Sequence, residues 1–142
     1  MTISTNARIG LEPRAELKMT ITDARQAVTD ALKAEGFGVL TAIDVQATLK
    51  EKLDQSFDPY VILGACNPSL AHAAISADSD IGLLLPCNVV LHEKDGVTTV
   101  SIVDPAAMLA VAAGRPELDV IAQEASARLQ RVATALAATG KP

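Results

Sequence analysis

Apolar and polar residues alternate along Leu17, Lys18, Met19, Thr20 and Ile21, which puts Leu17, Met19 and Ile21 on one face of a first predicted strand. The period then changes to three and four. Ala24, Ala27, Val28, Ala31 and Leu32 form one stripe of a helix that Thr22 or Asp23 can cap and that Gly36 ends. Residues 37–43 predict a second strand. Asp44 suits the N-cap of a short helix with Val45, Leu49 and Leu53 on its stripe and Lys50, Glu51 and Lys52 on its solvated side. Residues 60–65, apolar on both faces, predict a strand internal to a sheet.

Asn67-Pro68 reads as a helix start, because Asn accepts a backbone hydrogen bond at N-cap and Pro at N1 has no N–H to lose. Leu70, Ala71, Ala74 and Ile75 give that helix its inner side, and residues 78–80 close it. Residues 81–85 fit either a short strand or a buried helical turn. Asp95-Gly96 suits a type I′ turn between strands 87–93 and 97–103. A two-residue turn pairs Lys94 with Val97, so His92 faces Thr99, Val90 faces Ser101 and Asn88 faces Val103. Cys87, Val89 and Leu91 then share the core face with Val100 and Ile102, while Asn88 and His92 point away. Asp104-Pro105 opens a short Ala-rich turn over 106–112, which Gly114 stops. Pro116 starts a last helix striped by Leu118, Ile121, Ala125, Leu129, Val132 and Leu136.

The predicted order is therefore β-α-β-α-β-α-β-β-α. The helices are too short and irregular for a doubly wound parallel sheet. The expected fold class is α+β, a mostly antiparallel sheet of about five strands with helices packed mainly on one face. Residues 1–13 show no period and read as a loose tail; the division expected is a tail over 1–14 and a single globular domain over 15–140.

Composition narrows the function classes. Of 142 residues 49% are hydrophobic and 20% charged, as in a globular chain. The only aromatic residues are Phe37, Phe57 and Tyr60, so a ligand would find few rings to stack on. Seventeen acids outnumber 12 scattered basic residues for a net charge of −5, which argues against a nucleic-acid partner. No apolar run approaches the ~20 residues of a membrane-spanning helix. The first 14 residues hold no apolar signal core, so the two cysteines are expected as reduced thiols in the cytoplasm.

Both cysteines sit in short matching motifs, Cys66-Asn67-Pro68 and Pro86-Cys87-Asn88, each after an apolar run. Cys66 precedes a helix start, whose free N–H groups favour a thiolate. Cys87 lies on the expected core face, and small buried hydrophobe, a common fate of free cysteines, is the leading alternative for both thiols. Cys66, His72, Cys87 and His92 are the right atom types for a metal, yet no C-x-x-C or H-x-x-x-H spacing presets a site, and no metal is expected. Asn67 and Asn88 also have structural roles open to them, in capping and in satisfying backbone beside Pro86. No dinucleotide glycine fingerprint, nucleophile elbow or nucleophile–base pair is visible, so neither an enzymatic activity nor a cofactor is assigned.

The runs 35–41, Ile43-Asp44-Val45, 48–53, 59–68 and 84–90 together resemble the bacterial domain of unknown function 302 family. The resemblance extends over about Lys18 to Leu136. It implies a compact α+β domain related to the TATA-binding-protein-like arrangement and a homodimer, and it implies no activity. It carries the motif positions over to Cys66, Asn67, Cys87 and Asn88, which form the candidate site. Three functions stay open: a thiol-based redox, sulfur or metal protein, a non-catalytic binding module for a small apolar ligand, and an interaction protein with a protein partner.

Overall fold

A computed structural model describes residues 12–112 and 114–139. Its elements are β1 (Arg14–Leu17), α1 (Ile21–Ala34), β2 (Gly38–Asp44), α2 (Val45–Leu53), β3 (Tyr60–Cys66), α3 (Pro68–Ala77), a 3₁₀ turn (Ser79–Leu84), β4 (Cys87–Lys94), β5 (Val97–Ile102), α4 (Pro105–Met108), a second 3₁₀ turn (Leu109–Ala112) and α5 (Pro116–Thr139). The five strands form one sheet in the order β1-β5-β4-β3-β2, antiparallel throughout. The α+β class and the sheet of five strands are as the sequence predicts, and β3 is internal.

Two helices cover one face of this sheet. Val28 and Leu32 of α1 and Leu129, Val132 and Leu136 of α5 pack with Leu63, Val89, Leu91, Val100 and Ile102 of the strands. All are at most 1% exposed. Each fully buried Leu or Ile contributes roughly 1.5–3 kcal/mol, so aliphatic side chains stabilise this core with Phe37 as its one aromatic member. A smaller cluster joins Ala74 of α3 and Ile81 to Leu109, Leu118 and Ala122. The β4–β5 register is the predicted one: Lys94 pairs with Val97, His92 with Thr99 and Val90 with Ser101. Asp95 and Gly96 both have positive φ, as a type I′ turn requires.

Four expectations need correcting. The first strand is Arg14–Leu17, and Ile21 begins α1 instead of closing the strand. Thr20 is the N-cap, accepting from the Asp23 N–H at 3.3 Å, and the Glu93 carboxylate takes the Ile21 N–H at 2.7 Å. A residue 72 positions away thus starts the helix earlier than local pattern implies. Second, Arg14, the last residue of the tail expected over 1–14, belongs to the sheet; residues 1–11 of that tail lie outside the described residues. Third, the stripe of α2 is not buried: Leu53 is exposed, with Val45 and Leu49 half-buried. Fourth, Ile75 is exposed instead of lying on the inner side of α3, because only Ala74 is fully covered there.

Candidate functional site

The two Cys-Asn motifs meet where β3 ends and β4 begins. Ala65 pairs with Cys87 and Gly64 with Asn88, while Cys66 pairs with Gly38 on the other side. The sequence contains both motifs but not this adjacency, since a helix and a 3₁₀ turn separate the strands. Cys66 and Cys87 both line a cavity of about 40 Å³, walled by Phe37, Leu70, Leu85 and Ile121. Both thiols are free and half-buried.

Their surroundings differ. Cys87 begins a strand and packs against the main core. Burial pushes its thiol up from 9.0 to about 11, and the neighbouring Cys66 sulfur adds to the rise. Cys66 instead ends β3 at the N-terminus of α3. Asn67 is the N-cap: its Oδ1 accepts the Leu70 N–H at 3.1 Å, and its carbonyl accepts the Ala71 N–H at 2.9 Å. Pro68 has no N–H to offer. The helix start beside Cys66 therefore leaves fewer free donors than the motif alone suggests.

Asn67 is buried and its amide also meets the end of α1. That helix closes with bonds from the Glu35 N–H to the Leu32 carbonyl at 3.0 Å, the Gly36 N–H to the Lys33 carbonyl at 3.0 Å and the Phe37 N–H to the Leu32 carbonyl at 2.9 Å. Gly36 has φ +83°, and a Cβ there would stand 3.0 Å from Asn67 Nδ2 and 3.2 Å from Arg128 Nη1. Arg128 also donates to the Glu35 carbonyl at 3.1 Å and to Glu124 Oε1 at 2.8 Å. The glycine allows α1, α3 and α5 to converge beside Cys66. Asn88 does not join this group; its side chain is exposed and only its carbonyl is engaged, by the Val103 N–H at 3.2 Å.

The four possible metal ligands do not converge. His72 is exposed on α3. His92 lies five residues along β4 from Cys87, roughly 16 Å at strand spacing, and bonds Asp58 Oδ2 through Nε2 at 2.9 Å. Among the described residues no three His, Cys, Asp or Glu side chains group as a metal site requires. No helix of the described residues is long and apolar enough to cross a membrane.

Two features were not foreseen. Gly64 is needed for close approach, since a Cβ there would overlap Thr41 Oγ1 and stand 2.8 Å from Pro86 Cγ. Its place in the Gly-Ala-Cys-Asn run was the available signal, though only the sheet shows what covers it. The second is a ring cluster at the far end of β3. Phe57 and His92 have centroids 6.0 Å apart, Tyr60 and His92 5.3 Å, Phe57 and Tyr60 6.0 Å. Tyr60 pairs with His92, a register that the sequence does not encode locally.

The model of the family described as Domain of unknown function DUF302 matches residues 14–136. No curated protein matches the chain. Among solved structures, the fold is similar to that of an uncharacterized conserved protein DUF302 from Bacillus stearothermophilus, at 30% sequence identity and a TM-score of 0.77. The similarity covers 87% of this chain and 96% of that one. With nearly nine-tenths of the chain matched by the family model and the fold shared with a solved member, the chain belongs to the DUF302 family.

Proposed function

We propose that the protein has a thiol-based function at the Cys66 and Cys87 end of the sheet, with Cys66 as the reacting group. The observation that carries this reading is the convergence of both motifs on one small cavity. Cys66, Asn67 and Cys87 make up the site, with Asn67 fixing the backbone at Cys66; Asn88 holds the adjoining register opposite Gly64. Redox or sulfur handling fits better than metal ligation, because a ligating thiol must lose its proton and burial holds Cys87 in its neutral form. Unpaired thiols fit a reducing compartment such as the cytoplasm, where such chemistry would run. A cavity of about 40 Å³ is far below the roughly 300–1,000 Å³ of ordinary ligand sites, which disfavours the apolar-ligand module.

Labelling with iodoacetamide near pH 7.5 and peptide mapping tests the proposal. A pKa of about 11 leaves Cys87 about 100-fold less thiolate than at 9.0. Cys66 is expected to label first, and Cys66→Ser to abolish the fast phase. Inertness of both thiols until denaturation would make them packing residues only.

We also propose that the protein pairs with a second copy. The edge strand β2 has no partner on its outer side among the described residues, and it exposes Leu40 (67%) and Ile43 (51%). Phe57 is exposed nearby. Sedimentation at micromolar concentration should give twice the monomer mass; a monomer throughout that range refutes pairing.

A further inference from the structure

A larger cavity lies away from the cysteines. It is a groove of about 610 Å³ between the residues leading into β1 and the side of α5, within the usual range for small-molecule sites. Leu129 and Ala133, buried in the core, lie behind it. The charged lining has both signs: Arg14 on one hand, Glu12 and Asp104 on the other.

Tertiary structure brings these groups together. Arg14 pairs with Ser101, three residues before Asp104. The Ile102 N–H donates to the Pro13 carbonyl at 2.9 Å, holding the lead-in to β1 in place. Asp104 Oδ1 accepts the Ala106 N–H at 3.0 Å and the Ser126 hydroxyl at 2.5 Å, which orients the carboxylate. Among the described residues, no donor reaches Asp104 Oδ2, and neither Arg14 nor Glu12 forms an ion pair.

We infer that this groove binds a short zwitterionic peptide, with its carboxylate at Arg14 and its ammonium at Asp104 and Glu12. An anion without a positive end would meet two carboxylates against one guanidinium. An uncharged ligand would strip water from three charges and return nothing to them.

Trialanine titrated into the full chain by calorimetry tests this. Saturable one-site binding is expected, with N-acetyl-trialanine and trialanine amide each about 10-fold weaker, the loss of one charge-assisted contact. Arg14 is exposed at the sheet edge, so Arg14→Gln should fold normally. It should weaken trialanine about 10-fold and leave the amide unchanged, and Glu12→Gln should do the converse with the acetylated peptide. No saturable binding at about 10 mM, a concentration that would reveal even millimolar affinity, overturns the inference. So does an affinity indifferent to both end groups or to Arg14→Gln. Cys66→Ser should not alter the titration, which keeps this site separate from the thiol site.

Discussion

Replacing Gly64 with Ala adds one methyl group at the junction of the two Cys-Asn strands. That carbon would overlap Thr41 Oγ1 on β2 and stand 2.8 Å from Pro86 Cγ and 3.6 Å from Pro86 Cβ. Thr41 is exposed and can rotate its hydroxyl away. Pro86 cannot, since its ring is part of the backbone next to Cys87, which pairs with Ala65. Overpacking of this kind costs about 1–3 kcal/mol, offset by the 0.5–1 kcal/mol that Ala gains over Gly in a strand, roughly. A net loss of ~1–2 kcal/mol is expected. Urea unfolding should show a lower midpoint with an unchanged slope. Adding Thr41→Ala removes one overlap but not the Pro86 contact, so Gly64→Ala in that background should lose less yet still lose stability. The difference is a coupling of at least ~0.5 kcal/mol, as contacting residues show. A loss from Gly64→Ala below about 0.5 kcal/mol would refute the close approach of β2, β3 and Pro86.

Leu91 is fully buried opposite Val100, and Leu91→Ala should destabilise by ~2–4 kcal/mol; a change under half a kcal/mol, by urea unfolding, would invert the hairpin's faces. The Cys87 thiol gives a pH dependence. It is protonated in both states below about pH 9, but above that the unfolded chain loses the proton first, so stability falls as pH rises from about 9 to about 11. The fall amounts to roughly 2–3 kcal/mol at most. Cys87→Ser should flatten this part of the stability profile, and an unchanged slope would show that Cys87 is not the group responsible.

Much of this fold is written locally. Asn67 caps a helix wherever it precedes Pro68 and an apolar stripe, because its carboxamide reaches the N–H three residues on. Asp44 accepts the Ala47 N–H in the same way, and Asp104 caps α4 through the Ala106 N–H, two residues on. The Asp95-Gly96 turn sets the register of β4 on β5, and that register alone assigns Val89, Leu91, Val100 and Ile102 to the core. Two cysteine motifs were visible for the same reason, as short runs of residues with narrow conformational roles.

What the chain pattern could not show is which distant segments touch. The start of α1 depends on Glu93, so the alternation through Ile21 was outweighed by a carboxylate brought over by β4. The pairing of β3 with β4 places Cys87 beside Ala65 and His92 beside Tyr60, but no short turn joins these strands to fix their register. The same holds for Gly64 under Pro86, and for Arg14 and Asp104 lining one groove. Local hydrogen bonds and side-chain period determine elements and faces, because they act within a few residues. The thiol environment and the charged groove were decided only by tertiary packing, since burial and proximity belong to the assembled core.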